Sequence, residues 1–248
     1  MSAFNRKVKL TVINDVICPN CSIGQHELLS AISYCQEVLH LPLTFEVEFM
    51  PFRLIPLNLL DENTKVSKDE FFSGTFGKEK YDAFQAAIAK WADEKKIPIT
   101  FKGMMSQSTR AHRLSRKAYL VGGQEKQLPL LCTLFKAYLE DGKDIADLDV
   151  LSDIAEQVGV FSKEEALAFL RSNELEAEIN NMCNEARSKG VTGVPMTVID
   201  GKWVLNGGQC SDVFVQVFKK LAYAGVSAAP SPFAAPVSEM PSQVHLAA

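Results

Sequence analysis

The stretch from Leu10 to Leu29 constrains the fold of this chain more than any other. Apolar residues at Leu10, Val12, Ile13, Val16 and Ile17 read as a buried strand over 8–17. Ile23, Leu28, Leu29 and Ile32 then read as the inner face of a helix over about 20–39. Cys18-Pro19-Asn20-Cys21 stands at the handover between the two. Proline fits the first helical position, because its missing N–H has no partner there in any case. Cys18 is therefore expected as the N-cap, its sulfur facing unpaired backbone N–H groups and the positive end of the helix dipole. Both effects favour thiolate over thiol. Cys21 falls one turn deeper on the same face, within disulfide reach and more shielded. A dithiol placed this way exchanges two electrons with another dithiol or disulfide.

A C-x-x-C pair is also half of a zinc site, but such a site needs two further ligands at comparable spacing. Cys35, Cys132, Cys183 and Cys210 are scattered singly, and the four histidines form no H-x-x-x-H type of spacing. Redox chemistry is the better reading, with no metal; an inert structural pair is the remaining alternative. A net charge of −4 without a basic cluster argues against a nucleic-acid partner. No apolar run reaches the roughly 18 residues of a membrane span. The start, Met1 to Asp15, shows no apolar signal core, so a cytoplasmic, reducing setting is expected, with the scattered cysteines as free thiols.

Further along, 43–49 alternates apolar and polar residues as a half-buried strand, completing a β-α-β opening with a right-handed crossover. Helical patterning fills about 67–189: helices over 70–96, 107–121, 125–140, 147–158 and 162–189, the last broken near Asn173. The aromatics of 70–96 read as core. Strands at 196–199 and 203–205 flank an Asp200-Gly201 hairpin turn, and 211–223 closes as an amphipathic helix. The order β-α-β, helices, β-β-α gives an α/β class, a thioredoxin-like fold with a large all-helical insertion after its second strand. The implied division is 1–52 with 190–224 as the thioredoxin-like unit and 53–189 as the insertion, packed over the C-x-x-C end. The Ala-, Pro- and Ser-rich 225–248 reads as a disordered tail.

Three stretches together resemble a known family: Asp15 to Gly24 around the C-x-x-C, Ala111-His112-Arg113-Leu114, and Gly190 to Pro195 running into Val198-Ile199-Asp200-Gly201. They are similar to the DsbA-like thioredoxin proteins of the FrnE subgroup, relatives of 2-hydroxychromene-2-carboxylate isomerases and kappa-class glutathione transferases. The family usually carries a bulky aromatic where Asn20 stands. The resemblance implies that Pro195 is a cis-proline, leaving the Val194 backbone to pair with an extended thiol substrate beside Cys18. It implies catalysis by Cys18 as nucleophile and Cys21 as resolving thiol with Pro195, and substrate contacts from Pro19, Asn20, Val194, Gln209 and His112. Arg53 reads as a structural cation. The N–H groups opening the last helix, from Asn206 to Asp212, are expected to suit a carboxylate such as that of glutathione, or to be plainly capped by Ser211 or Asp212.

The function expected is a thiol–disulfide oxidoreductase acting on protein or small-molecule disulfides, as a monomer or homodimer. It would bind no resident cofactor and draw electrons from glutathione, as co-substrate, or from a thioredoxin-type reductant. The alternatives are a glutathione-dependent isomerase or transferase for a small organic substrate, and a non-enzymatic binding module.

Overall fold

The structure, a computed structural model, describes residues 5–223; the expected tail of 225–248 lies outside them. The chain opens with β1 (Arg6–Asn14), α1 (Pro19–Ser33) and β2 (Leu43–Pro51). Helices α2 (Lys68–Phe76), α3 (Lys78–Lys95), α4 (Thr109–Phe135), α5 (Leu148–Gln157), α6 (Lys163–Arg171) and α7 (Glu176–Ser188) follow. It closes with β3 (Met196–Ile199), β4 (Trp203–Asn206) and α8 (Ser211–Tyr223). The sheet order is β2-β1-β3-β4, with β1 parallel to β2 and antiparallel to β3, and β3 antiparallel to β4. This is the thioredoxin-like fold with its helical insertion.

β1 takes the centre of the sheet because its alternation buries Val8, Leu10, Val12 and Asn14. It ends at Asn14, three residues short of the expected Ile17. The Cys18 N–H turns back to the Asp15 carbonyl at 3.1 Å, so Val16 and Ile17 lie buried in a turn. The β3–β4 turn uses Asp200 and Gly201, both with positive φ (50° and 65°), the geometry of a two-residue hairpin matching the strand twist. Asp200 is anchored by the Arg6 guanidinium at 2.8 Å and the Lys9 N–H at 2.9 Å.

β2 is an edge strand, yet its outer polar groups do not face water. Gln127 of α4 accepts the Phe49 N–H at 2.9 Å and donates to the Phe49 carbonyl at 2.8 Å. Gln124 accepts the Val47 N–H at 2.7 Å. Two amide side chains thus stand in for a neighbouring strand, which protects the edge from pairing with another chain.

The helical block departs from expectation at one place. The single helix expected over 70–96 is two, because Gly77 sits at φ 88°, ending α2 and opening α3. The two helices expected over 107–121 and 125–140 are the two arms of α4, separated as expected where Gly122 and Gly123 leave helical geometry, and the second finishes in a wide turn over Lys136–Glu140. The break near Asn173 falls between α6 and α7 as expected. α4 and α7 lie against β2, while α8 packs on α1 and sets Phe218 4.6 Å from Phe45 of β2.

Candidate active site

Cys18 is the N-cap of α1, with extended backbone (φ −91°, ψ 114°) and Pro19 as the first helical residue. Its carbonyl accepts the N–H groups of Cys21 at 3.0 Å and Ser22 at 3.2 Å, which starts the helix. Its side chain makes no capping bond to the helix. Instead the sulfur lies 3.7 Å from the carbonyl oxygen of Val194. The Val194–Pro195 peptide bond is cis. Both thiols are free, Cys18 5% exposed and Cys21 2%. Burial first, then the hydrogen bond and charge of the neighbouring Cys18 sulfur, push the Cys21 thiol well above its usual range; a backbone bond from Asp15 pulls the other way. The two sulfurs are therefore unequal: Cys21 holds its proton one turn deeper, and Cys18 faces a backbone acceptor.

Two glycines let the surrounding backbones meet. A methyl group on Gly24 of α1 would lie 3.1 Å from Pro195 Cγ and 3.4 Å from the Gly208 Cα. The absence of a side chain there lets the proline loop rest directly on α1, and the Pro195 carbonyl is held by the Gly207 N–H at 2.8 Å. At Gly208 a methyl group would lie 2.4 Å from the Trp91 ring and 3.3 Å from the Asn20 carbonyl. Trp91 of α3 thus covers the loop before α8, next to the C-x-x-C. This is how the insertion reaches the dithiol.

Asp15 and His112 lie behind the dithiol, fully buried. Asp15 Oδ2 accepts the Leu54 N–H at 2.7 Å, and Oδ1 accepts the Ile17 N–H at 3.4 Å. His112 Nε2 is 3.2 Å from Asp15 Oδ1 and 3.1 Å from the Phe52 carbonyl. A carbonyl only accepts, so Nε2 carries the proton and points it between the two oxygens. His112, expected on the substrate side, is 2% exposed and lies in the interior, tying α4 to the β1–α1 turn. Arg53 is buried and donates to Thr109 Oγ1 at 3.0 Å, a structural cation as expected.

The opening of α8 already holds a carboxylate. Glu27 of α1 accepts the Ser211 N–H at 2.7 Å and the Lys95 ammonium of α3 at 2.9 Å. Burial opposes the charge on Glu27, but Lys95 and the Ser211 N–H outweigh it and hold the carboxyl below its usual range. The Gln209 amide, expected to meet substrate, turns back to the Asn206 carbonyl at 2.6 Å.

Of the residues singled out in the sequence, Cys18, Pro19, Asn20, Cys21, Val194 and Pro195 converge at the head of α1. Gln209 lies beside them, and His112 behind. Sequence reasoning missed Asp15, Glu27, Trp91 and Lys95. Asp15 lay within the C-x-x-C stretch and was the one with a signal. Nothing marks a helical glutamate as the cap of a helix 184 residues away.

Comparison with known proteins agrees with this fold. A curated relative, the uncharacterized protein YwbO of Bacillus subtilis, is 24% identical over 209 residues, covering 84% of this chain and 94% of its own. Among solved structures, the probable DsbA oxidoreductase SCO1869 of Streptomyces coelicolor superposes with a TM-score of 0.75 at 21% identity. The match covers 90% of this chain and 93% of that one. The cytosolic disulfide reductase DsbM of Pseudomonas aeruginosa, solved with glutathione, gives 0.58 at 16%, covering 86% and 98%. Residues 9–219 match the family description of the DSBA-like thioredoxin domain, and the chain belongs to that family of thiol oxidoreductases.

Proposed function

We propose that this protein is a thiol–disulfide oxidoreductase whose working pair is Cys18 and Cys21. The observation that carries the reading is the placing of Cys18: at the N-cap of α1, 3.7 Å from the Val194 carbonyl, with a protonated Cys21 one turn below. Cys18 attacks as thiolate on one sulfur of a substrate disulfide. A bond forms between the two sulfurs, and the other substrate half leaves as thiolate. Cys21, losing its proton, then attacks the Cys18 sulfur and expels the second half. The substrate gains two electrons, and the protein is left with a Cys18–Cys21 disulfide. Two glutathione thiols, leaving as glutathione disulfide, or one thioredoxin-type dithiol, leaving as its own disulfide, restore the reduced pair. In a reducing, cytoplasmic setting the net direction is reduction or isomerisation.

Val194 and Pro195 serve as the backbone shelf on which an extended substrate is held beside Cys18, while Pro19 and Asn20 form the rim of the same opening. Turnover of insulin disulfides by the parent, Cys18→Ser and Cys21→Ser proteins tests this. Cys18→Ser is expected to be inactive, and Cys21→Ser to accumulate mixed disulfides without release. A Cys21→Ser protein that reduces disulfides at the parental rate would move the reaction to a monothiol, glutathione-dependent class.

A further inference from the structure

Neither thiol is open to a bulky partner. Cys18 is 5% exposed and Cys21 2%, yet a disulfide that reacts with Cys18 must bring a sulfur up to it with the rest of the substrate attached. A run of contacts leads from the sulfur to what stands over it. Cys18 Sγ lies 3.7 Å from the Val194 carbonyl, and the Pro195 carbonyl accepts the Gly207 N–H at 2.8 Å. On the next residue, a methyl group on Gly208 would lie 3.3 Å from the Asn20 carbonyl and 2.4 Å from the Trp91 ring. The half-buried indole therefore sits over the seam between the C-x-x-C rim and the loop before α8.

Trp91 is carried on a part of the chain that is rooted at one end. Ser67 and Met104 form an antiparallel bridge, flanked by hydrogen bonds from the Lys68 N–H to the Gly103 carbonyl at 3.0 Å and from the Met105 N–H to the Val66 carbonyl at 2.8 Å. The chain enters α2 and leaves α3 through this short pair, so residues 68–103 hang from it as a lobe. α2 seats the lobe: Lys68 donates to the Tyr138 carbonyl at 2.8 Å, and Phe71 and Phe72 pack against the main core. The buried residues of α3, namely Tyr81, Ile88 and Ala92, lie outside that continuous core, with Tyr81 stacked on Phe72 of α2 at 5.1 Å. α3 meets the thioredoxin-like unit through Trp91 on Gly208 and, one turn on, through Lys95 on the buried Glu27 carboxylate at 2.9 Å. An element that shares little of the main core opens locally at a low free-energy cost.

We propose that Trp91 is a specificity-determining residue that selects disulfides by size. While the α2–α3 lobe is seated, the indole bars disulfides carried on bulky chains from Cys18 and lets small ones pass. A protein disulfide reacts only after the lobe swings aside, which breaks the Trp91 contact and the Lys95–Glu27 pair together. The proposal rests on the reading of Cys18 as the attacking thiol.

The test uses N-ethylmaleimide and a maleimide bearing a polyethylene glycol chain, which share their chemistry and differ in bulk. Labelling of the reduced full chain, read at Cys18 by peptide mapping, gives the ratio of bulky to small reagent rates. The same ratio at the exposed Cys132 is the internal reference. In the parent the Cys18 ratio should be well below that of Cys132. Trp91→Ala should raise it roughly tenfold, the shift in an opening equilibrium that loss of one aromatic contact brings. Lys95→Met should raise it in the same direction. Trp91→Phe, which keeps a smaller ring, should fall between parent and Trp91→Ala, and serves where Trp91→Ala does not fold. The N-ethylmaleimide rate itself should stay nearly constant. The kcat/KM for insulin relative to that for hydroxyethyl disulfide should rise in the same order. Equal ratios at Cys18 and Cys132 in the parent would overturn the proposal. So would Trp91 variants that leave the ratio unchanged, or that speed both reagents alike. A parent that labels as expected but turns over neither disulfide would instead overturn the dithiol reading and leave the closure standing.

Discussion

The sulfur of Cys18 lies 3.7 Å from the carbonyl oxygen of Val194, a residue 176 positions further along the chain. That contact is made by topology. β3 begins at Met196 and runs antiparallel to β1, with Ile13 opposite Met196, so the residue just before β3 meets the turn just after β1. The dithiol and its backbone shelf are thus two ends of one pair of central strands, held by the sheet and not by the insertion.

The inequality of the two sulfurs predicts the order of alkylation. Cys21 is pushed well above the usual thiol range by burial and by its bond to Cys18, so it holds its proton across neutral pH. Cys18, one turn nearer the start of α1, is the sulfur that lies against the Val194–Pro195 backbone. Iodoacetamide at pH 6 to 8, followed by peptide mapping, should label Cys18 at least about tenfold faster than Cys21. Cys21 or Cys210 labelled ahead of Cys18 would refute the assignment of the nucleophile.

Asp15→Asn should be costly out of proportion to its size. Both carboxylate oxygens accept, from Leu54 on one side and from Ile17 and His112 on the other. Whichever way the amide turns, its NH2 meets another N–H. Leaving one buried group unmatched costs about 1–3 kcal/mol, which urea denaturation will read. The same change removes a negative charge that helps hold the Cys21 proton, so Cys21 should also alkylate faster in the variant. A stable Asp15→Asn protein with unchanged Cys21 reactivity would contradict the placing of Asp15.

The edge of β2 gives a test of the fold itself. Gln127 is fully buried and pairs both the N–H and the carbonyl of Phe49. Gln127→Leu fills nearly the same volume but strands two backbone groups, at about 2–4 kcal/mol together. Urea unfolding should show that loss, and light scattering an increased tendency to self-associate. A loss below about 0.5 kcal/mol, the level of an ordinary surface change, would mean the pairing is not formed.

Lys68 predicts a pH dependence of stability. It is buried, donates to the Tyr138 carbonyl at 2.8 Å, and burial lowers it from 10.5 to about 8. Between pH 8 and 10.5 the unfolded chain binds the proton that the folded chain has released. Stability therefore rises with pH through that window, and below pH 8 the full penalty, on the order of 3 kcal/mol, is present. Denaturation midpoints of the parent and Lys68→Met from pH 7 to 10 isolate the effect. The difference between them should shrink as pH rises; a constant difference would show that Lys68 stays charged in the fold.

What the sequence made legible, and what it hid, follows from the range of each interaction. The strand–Cys18–Cys21–helix stretch and the Asp200-Gly201 turn were readable because each is written in neighbouring residues, whereas the cis-proline before β3 came only from the family resemblance. The end of β1 was misplaced because Val16 and Ile17 are as apolar as a strand; only the turn from Cys18 to Asp15 shows that they leave it. Gly77 was hidden within an otherwise helical pattern of aromatics. Gln124, Gln127, Glu27 and Lys95 look in sequence like the solvent face of a helix. Each is fixed by a partner from a distant element, and no local pattern carries that pairing.

The central claim, that Cys18 and Cys21 form a two-electron redox pair, is tested most directly by equilibrating the protein in glutathione buffers of graded ratio. Acid quenching, alkylation and mass-spectrometric mapping then count each disulfide. The account predicts a single two-electron transition in which the Cys18–Cys21 bond appears with no lasting glutathione adduct at Cys18. A protein that never forms that bond at any ratio, or that stops at a stable Cys18–glutathione disulfide, would contradict it.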